Sequence, residues 1–348
     1  MRIFLYLVPL ALLAGALGCS LGRPSLPAGR GWVRLLGRWD ASNAPDRIVA
    51  VNPGSSFEFR YQGMACVLDF DRSANKPPLP QLWVRFDGVW TKLVVDADRL
   101  VLGRDAQPGR HEVWVVIKAL DEHQPRWTPP LVASLTLTGI EVPGGRLVNP
   151  PARRRRILEA VGDSITEGIL VYKEGKEWTD RADSRFTYAF RTAEALGAEP
   201  RIIGFGAQGV TRGGNGGTPP VGLAYPFVYQ DVEAREAPAD VVVINHGCND
   251  GGAKSIESGY LNLIRLVRRS NPKAHIFCIV PFAQVHSRSI EEAVASARTD
   301  WDLKVHLVRT RGWLDPKTDT TDDVHPSAEG HAKAAEKLTD FIRKTLRW

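Results

Sequence analysis

The sequence predicts two regions of different architecture, a β-sandwich followed by an α/β domain with a parallel sheet. Three observations predict this. Between Gly31 and Leu147 the chain breaks into short alternating apolar and polar runs separated by turn residues. From Ile157 onward, strand-length apolar runs alternate with helix-length amphipathic stretches, the order of a parallel sheet wrapped by helices. Between them, Val148-Asn-Pro-Pro-Ala-Arg-Arg-Arg-Arg156 suits neither pattern, because two prolines forbid regular structure and four arginines need solvent. At 348 residues the chain also exceeds the usual size of one hydrophobic core.

The elements follow in order. Arg2 and the apolar run Ile3 to Leu17 are too short to span a bilayer as a mature helix and read as a secretion signal over residues 1–18. Cleavage after Ala14-Gly15-Ala16 gives a free secreted protein. Cleavage before Cys19, in Ala16-Leu17-Gly18-Cys19, matches a bacterial lipoprotein box, and this reading is preferred. Acyl chains on Cys19 then place the protein on the cell envelope, with residues 19–31 as a tether.

The β-sandwich occupies residues 32–147, with runs at Ser56 to Tyr61, Ala65 to Phe70, Gln81 to Phe86, Lys92 to Val95, His111 to Lys118 and Val132 to Val142. Pro53-Gly54, Asp87-Gly88 and Pro108-Gly109 punctuate it. Residues 148–156 are read as a solvated linker. In residues 157–348, strands at Ile157 to Val161, Arg201 to Phe205, Val241 to Asn245, Ile276 to Val280 and Lys304 to Val308 alternate with helices at Arg185 to Leu196, Ile256 to Arg269 and Ala328 to Leu346.

Composition narrows the class. Hydrophobic residues make up 43% and charged residues 24%, which argues against disorder. The net charge of +6 has one dense basic run, Arg153 to Arg156, and scattered basic residues argue against nucleic-acid binding. Beyond Cys19 only Cys66, Cys248 and Cys278 remain, too few for a disulfide framework, and no pair has zinc-ligand spacing.

Chemistry-bearing residues collect after the carboxyl ends of the α/β strands, where open parallel sheets place their sites. Gly162-Asp163-Ser164-Ile165 puts a serine on a strand-to-loop turn, although Asp and Ser are also routine capping residues. Gly204-Phe205-Gly206-Ala207-Gln208-Gly209, with Asp231 downstream, formally matches a dinucleotide fingerprint. That match is rejected, because residues 210–220 carry four glycines and two prolines and cannot form the helix that holds pyrophosphate. An amide at Gly209 aimed at an oxyanion explains the loop better.

In the third loop, His246-Gly-Cys-Asn249-Asp250, Asn249 can direct its amide group into a cleft, with a strand-ending Asx-turn as the plainer reading. Asp322-Asp-Val-His325-Pro326 leaves His325 on the loop before the last helix, which Pro326 can begin. Of the other histidines, His111, His123, His275, His286, His306 and His331 are read as structural, and His246 is left open.

Gly-Asp-Ser at the first strand, Gly209 in the second loop, Gly-x-Asn-Asp in the third and Asp-x-x-His before the last helix resemble the four SGNH (GDSL) hydrolase blocks in order and spacing. The resemblance implies a flavodoxin-like three-layer α/β/α fold with Ser164 as nucleophile, His325 as base, Asp322 as the triad acid, and Gly209 and Asn249 as oxyanion donors. Asp323 or a backbone carbonyl are the other candidates to orient His325.

Gly37-Arg-Trp-Asp40, Gly109-Arg-His-Glu-Val113 and His325-Pro-Ser-Ala-Glu-Gly-His331 narrow the resemblance to carbohydrate esterase family two, which carries a jelly-roll domain ahead of its SGNH domain. It departs from that pattern at Gly168-Ile169-Leu170 and Cys248.

The implied function is an exported serine esterase acting on O-acyl, in particular O-acetyl, esters of polysaccharides or oligosaccharides, with no metal or organic cofactor. Trp178, Tyr225 and Tyr229 are candidate sugar platforms, packing between the regions being the plainer alternative. The rival readings are an esterase for lipid or aryl esters, acyl transfer to another sugar, and a non-catalytic glycan-binding lipoprotein.

Overall fold

The computed structural model of the chain describes residues 30–41 and 46–348. The predicted leader, Cys19 and nearly all of the tether lie outside the described residues. Ten strands come first: β1 (Val33–Leu36), β2 (Ile48–Ala50), β3 (Ser56–Gly63), β4 (Cys66–Phe70), β5 (Gln81–Phe86), β6 (Val89–Val94), β7 (Arg99–Leu102), β8 (Gly109–Ala119), β9 (Leu135–Glu141) and β10 (Arg146–Val148). They form two antiparallel sheets, one ordered β1-β3-β8-β5-β6 with β10 also on β3, the other ordered β2-β9-β4-β7.

Period-two alternation explains the packing of these sheets. Phe57, Phe59 and Tyr61 of β3 and Val113, Val115 and Ile117 of β8 turn into a core shared with Leu68, Leu137 and Ile140 of the second sheet. The intervening Trp114 and Val116 turn the other way and enter a different core. Strand β8 is therefore buried on both faces, one serving each half of the molecule.

The α/β region follows the predicted order: β11 (Ile157–Gly162), α1 (Ser164–Glu167), α2 (Trp178–Arg181), α3 (Tyr188–Ala195), β12 (Glu199–Gly204), α4 (Val221–Ala224), a hairpin of β13 (Phe227–Tyr229) and β14 (Val232–Glu233), β15 (Val241–Asn245), α5 (Glu257–Ser270), β16 (His275–Ile279), α6 (Ser287–Asp300), β17 (Val305–Val308) and α7 (Ala328–Leu346). Its sheet is ordered β12-β11-β15-β16-β17, and every pairing is parallel. Helices α5 and α6 cover one face, over Val242, Ile244 and Ile276. Helices α3 and α7 cover the other, over Leu158, Val243 and Phe277.

Helix α6 departs from the sequence reading, which left its residues unassigned. Its buried face is Ser289, Ile290, Ala293, Val294 and Ala297, so small side chains blur the helical stripe. Nor does Pro326 start the last helix. It bridges back to Thr320, and Ser327 is the cap, its hydroxyl accepting from the Gly330 amide at 3.1 Å.

Contacts between the two regions are extensive. Trp114 stacks on Phe190, with ring centroids 6.0 Å apart. Arg34 pairs with Glu58 and, at 2.9 Å, with Glu199. Two of the four linker arginines are docked rather than solvated: Arg154 lies 4.8 Å over Trp114, and Arg156 lies 3.8 Å over the ring of Trp348. Tyr225 and Tyr229 are buried, their hydroxyls on Glu159 and Asp40, so the packing alternative holds for both. Trp178 is half-buried against Ile169, Leu170 and Ala182.

Candidate active site

Strand β11 lies between β12 and β15, which is where the strand order reverses direction and a crevice opens at the carboxyl ends. The chain reaches it through Gly162. A Cβ there would meet Thr166 Oγ1 at 2.0 Å, so the turn that lifts Ser164 out of the strand requires glycine. Asp163 then caps α1, its carboxylate accepting from the Ile165 amide at 3.0 Å, and Ser164 is the first helical residue. Its amide belongs to the first turn, where N–H groups have no helical acceptor. Gly168 closes the turn in the left-handed region, with φ +95°, and its amide donates to the Ser164 carbonyl at 2.9 Å.

From the far side of the sheet, the loop after β17 brings in His325. Its Nε2 lies 2.9 Å from Ser164 Oγ, and its Nδ1 lies 2.8 Å from Asp322 Oδ2. The other Asp322 oxygen accepts from the amides of His325 at 2.8 Å and Val324 at 3.2 Å. Of the three candidates to orient the imidazole, Asp322 is the one in contact. Burial pushes its carboxyl up, but the hydrogen bonds from the His325 amide and ring outweigh burial and leave it below the usual carboxylate value. Asp323 is exposed in the left-handed region, with φ +67°.

Asn249 stands beside the serine turn. Its side-chain nitrogen donates to Asp163 Oδ2 at 3.2 Å and to the Gln208 carbonyl at 3.1 Å, linking the first, second and third strand-end loops. The Gly209 amide donates to the Arg212 carbonyl at 3.0 Å, so this predicted donor closes a turn in the structure rather than facing Ser164. Residues 210–220 contain one short 3₁₀ turn, Asn215–Gly217, and no α-helix, in line with rejecting the dinucleotide reading.

Asp250 braces the same loops, accepting from the amides of Val210 at 2.9 Å and Thr211 at 2.7 Å. Burial drives the Asp163 carboxyl up to about 7, and burial lowers the His246 imidazole to about 4, which leaves that ring neutral. His331 is buried and accepts from the Tyr188 amide at 3.1 Å. Among the described residues no cluster of three or more His, Cys, Asp or Glu could hold a metal ion.

Sequence reasoning missed the support behind the serine turn. Arg126, from the loop after β8, forms a two-pronged ion pair with Glu167 at 2.5 and 2.7 Å, both side chains fully buried. No local pattern marks that pair, since 41 residues separate its members.

Comparison with known proteins places the chain among others of its family. Residues 160–333 match the GDSL-like Lipase/Acylhydrolase family. Over 232 residues the chain is 33% identical to the cellulase/esterase CelE of Acetivibrio thermocellus, covering 60% of this chain and 28% of that protein's length. It is 22% identical over 256 residues to an acetylxylan esterase/glucomannan deacetylase of Cellvibrio japonicus, covering 69% and 68%. Among solved structures, a family two carbohydrate esterase from Clostridium thermocellum in complex with cellohexaose superposes with a TM-score of 0.77 at 26% identity, covering 91% of this chain and 99% of that one. A family two carbohydrate esterase from Cellvibrio japonicus, at 18% identity and a TM-score of 0.76, shares the fold. Half of the chain, including the strand-end loops from Ser164 to His325, matches one family, and the chain belongs to the GDSL-like lipase/acylhydrolase family.

Proposed function

We propose that the chain is an exported serine esterase that removes O-acetyl groups from polysaccharide or oligosaccharide. The observation that carries this is the line Asp322–His325–Ser164, with consecutive separations of 2.8 and 2.9 Å. His325 takes the Ser164 proton through Nε2 as the oxygen attacks the ester carbonyl, and Asp322 holds the ring with Nδ1 protonated. The leaving alcohol receives that proton. Water, activated by the same imidazole, then releases the acid and frees Ser164.

The oxyanion falls to the Ser164 amide and to the Asn249 side chain, once that side chain exchanges Asp163 or the Gln208 carbonyl for it. Gly209 joins them when its amide exchanges the Arg212 carbonyl for the oxyanion. Each such donor is worth roughly a hundredfold to a thousandfold in rate.

The activities named for a relative, acetylxylan esterase and glucomannan deacetylase, support acetylated plant-type glycans as the substrate class. We read residues 32–147 as a jelly-roll domain, because its two sheets interleave as β2-β9-β4-β7 and β3-β8-β5-β6, and residues 157–348 as the hydrolase domain. Export rests on the apolar run Ile3 to Leu17, and surface anchoring on Cys19. Mass spectrometry of the mature N-terminus tests both: an unprocessed Met1 rejects export, and an unmodified end rejects the lipid anchor.

The central test is acetate release from acetylated xylan, glucomannan and p-nitrophenyl acetate, alongside longer-chain esters. The expected result is acetate release that Ser164→Ala abolishes. Equal rates for wild type and Ser164→Ala would sink the proposal.

A further inference from the structure

The nucleophile and its base sit in the α/β region, yet the segment between them is gripped from outside it. Residues 168–183 leave the serine turn, pass the rim of the histidine loop and return to the serine turn. The rim contact is Leu170, whose carbonyl accepts from Thr321 Oγ1 at 2.7 Å, while the Thr321 amide donates to the His325 carbonyl at 2.9 Å. The return is Asp183, whose amide donates to the Gly168 carbonyl at 2.7 Å, one residue beyond α1. The Tyr172 amide also donates to the Arg181 carbonyl at 3.0 Å, closing the segment on itself.

Three polar side chains of strands β5 and β8 reach into this segment. Lys118, near the end of β8, is fully buried, and its ammonium donates to the carbonyls of Thr179 and Ala182 at 2.6 Å each. Gln81 Nε2 donates to Asp180 Oδ1 at 2.6 Å. Trp83 Nε1 donates to Asp183 Oδ2 at 3.0 Å, and the same oxygen accepts from the Tyr172 hydroxyl at 3.0 Å. Ala119, the neighbour of Lys118, packs with Ile169, Leu170 and Ala182.

A buried ammonium is a costly way to join two regions that already share apolar cores. Burial pulls Lys118 down to about 8, against the attraction of Asp183 and Asp180, so it still carries its charge at neutral pH. A charge with two short bonds to main-chain carbonyls makes sense as a fixative for irregular backbone, whose carbonyls otherwise go unmatched.

We propose that Lys118 is a positioning residue for the ester-cleaving site, holding residues 168–183 so that the serine turn and the histidine loop keep their mutual register. This rests on the esterase reading above. Lys118 touches no reacting atom and acts through Ala182, Gly168 and Leu170.

The test compares Lys118→Met, Trp83→Phe and, as a control at another contact between the regions, Arg34→Met. Steady-state kinetics on p-nitrophenyl acetate, thermal melting and hydrogen exchange of residues 168–183 and 321–325 are measured on each. The expected result for Lys118→Met is a fall in kcat of about tenfold at nearly unchanged KM, the scale of a small misplacement of reacting groups. Amide exchange should quicken in both segments, including residues 321–325, which Lys118 does not touch. Trp83→Phe should show the same pattern at a few-fold, and decides the matter if Lys118→Met does not fold. Arg34→Met should lower Tm and leave kcat alone.

A folded Lys118→Met protein with wild-type kcat, or with wild-type exchange over 321–325, overturns the proposal. If the wild type cleaves no ester, the esterase reading falls instead, and the exchange measurements still decide whether Lys118 couples the two segments.

Discussion

The serine turn and the histidine loop meet across 2.9 Å, yet they are built in opposite ways. Every residue from Asp163 to Glu167 is buried, and the turn is tied to distant parts of the chain, Thr166 to the Tyr188 hydroxyl at 2.8 Å and Glu167 to Arg126. In the histidine loop Asp322, Asp323 and Val324 are exposed, and the bonds that shape it run among residues 321–325, with Thr321 reaching out to Leu170. Ser164 is thus part of a core, and His325, the base of the proposed mechanism, is part of a surface loop. A side chain that must present one atom in one direction gains from rigid surroundings. One that must accept, pass on and re-accept a proton works from a loop that can adjust.

Substitutions can break or sharpen this contrast. The largest effect should not distinguish the two halves: Ser164→Ala and His325→Ala are each expected to lower kcat/KM by about 10⁴ or more, since members of such a unit fail together. Unequal losses would show that one side works without the other. Next in size, Arg126→Met leaves the buried Glu167 carboxylate without its partner and should cost about 3–5 kcal/mol of stability, read in denaturant unfolding. No comparable loss is expected on the loop side, where Asp322→Asn should leave Tm nearly unchanged and cut kcat by roughly a hundredfold or more through loss of the oriented imidazole. A large drop in Tm for Asp322→Asn would erase the contrast.

A smaller effect reads the buried serine turn by pH. Asp163 has its folded pKa raised by burial to about 7 from an ordinary 3.8. Between those values the unfolded chain is ionised there and the folded protein holds the proton, so this group makes stability fall as pH rises through the window. Asn at 163 keeps the cap and removes the titration. Melting curves from pH 4 to 8 should therefore show Asp163→Asn gaining on the wild type as pH rises, and a constant difference would be the contrary result. The smallest expected change is Thr321→Val, which removes one hydroxyl bond, worth about 1 kcal/mol, and should lower kcat several-fold without altering the fold.

Much of this was legible in advance for one physical reason: strands that are apolar throughout, such as Val241–Asn245, and the motifs at their ends are local in sequence. The parallel sheet, its strand-end loops and the four motif segments follow from that locality. What escaped reading depends on distant partners or weak periodicity. Strands β1, β2, β7 and β10 are three or four residues long, too short to show alternation. Helix α6 hides its face behind Ala and Ser. Arg154 and Arg156 read as solvated because nothing nearby announces Trp114 and Trp348 as their platforms. Lys118 and Arg126 carry no role in the sequence reading, because the partners that hold them, Thr179, Ala182 and Glu167, lie 41 or more residues away. Asp322 was already named over Asp323 by the Asp-x-x-His resemblance, and the backbone, which turns left-handed at Asp323, leaves Asp322 as the carboxylate on the ring.

Strand β8 has a consequence for how the molecule comes into being. Its outward residues, Trp114 and Val116, share a core with Leu158, Phe190 and Leu338, which are made much later. A ribosome therefore delivers the first half with a raw apolar face that waits for the second. The nascent chain is vulnerable during that interval, and a fragment ending near the arginine run would carry the vulnerability permanently. The two halves are best regarded as one obligate partnership written on a single message.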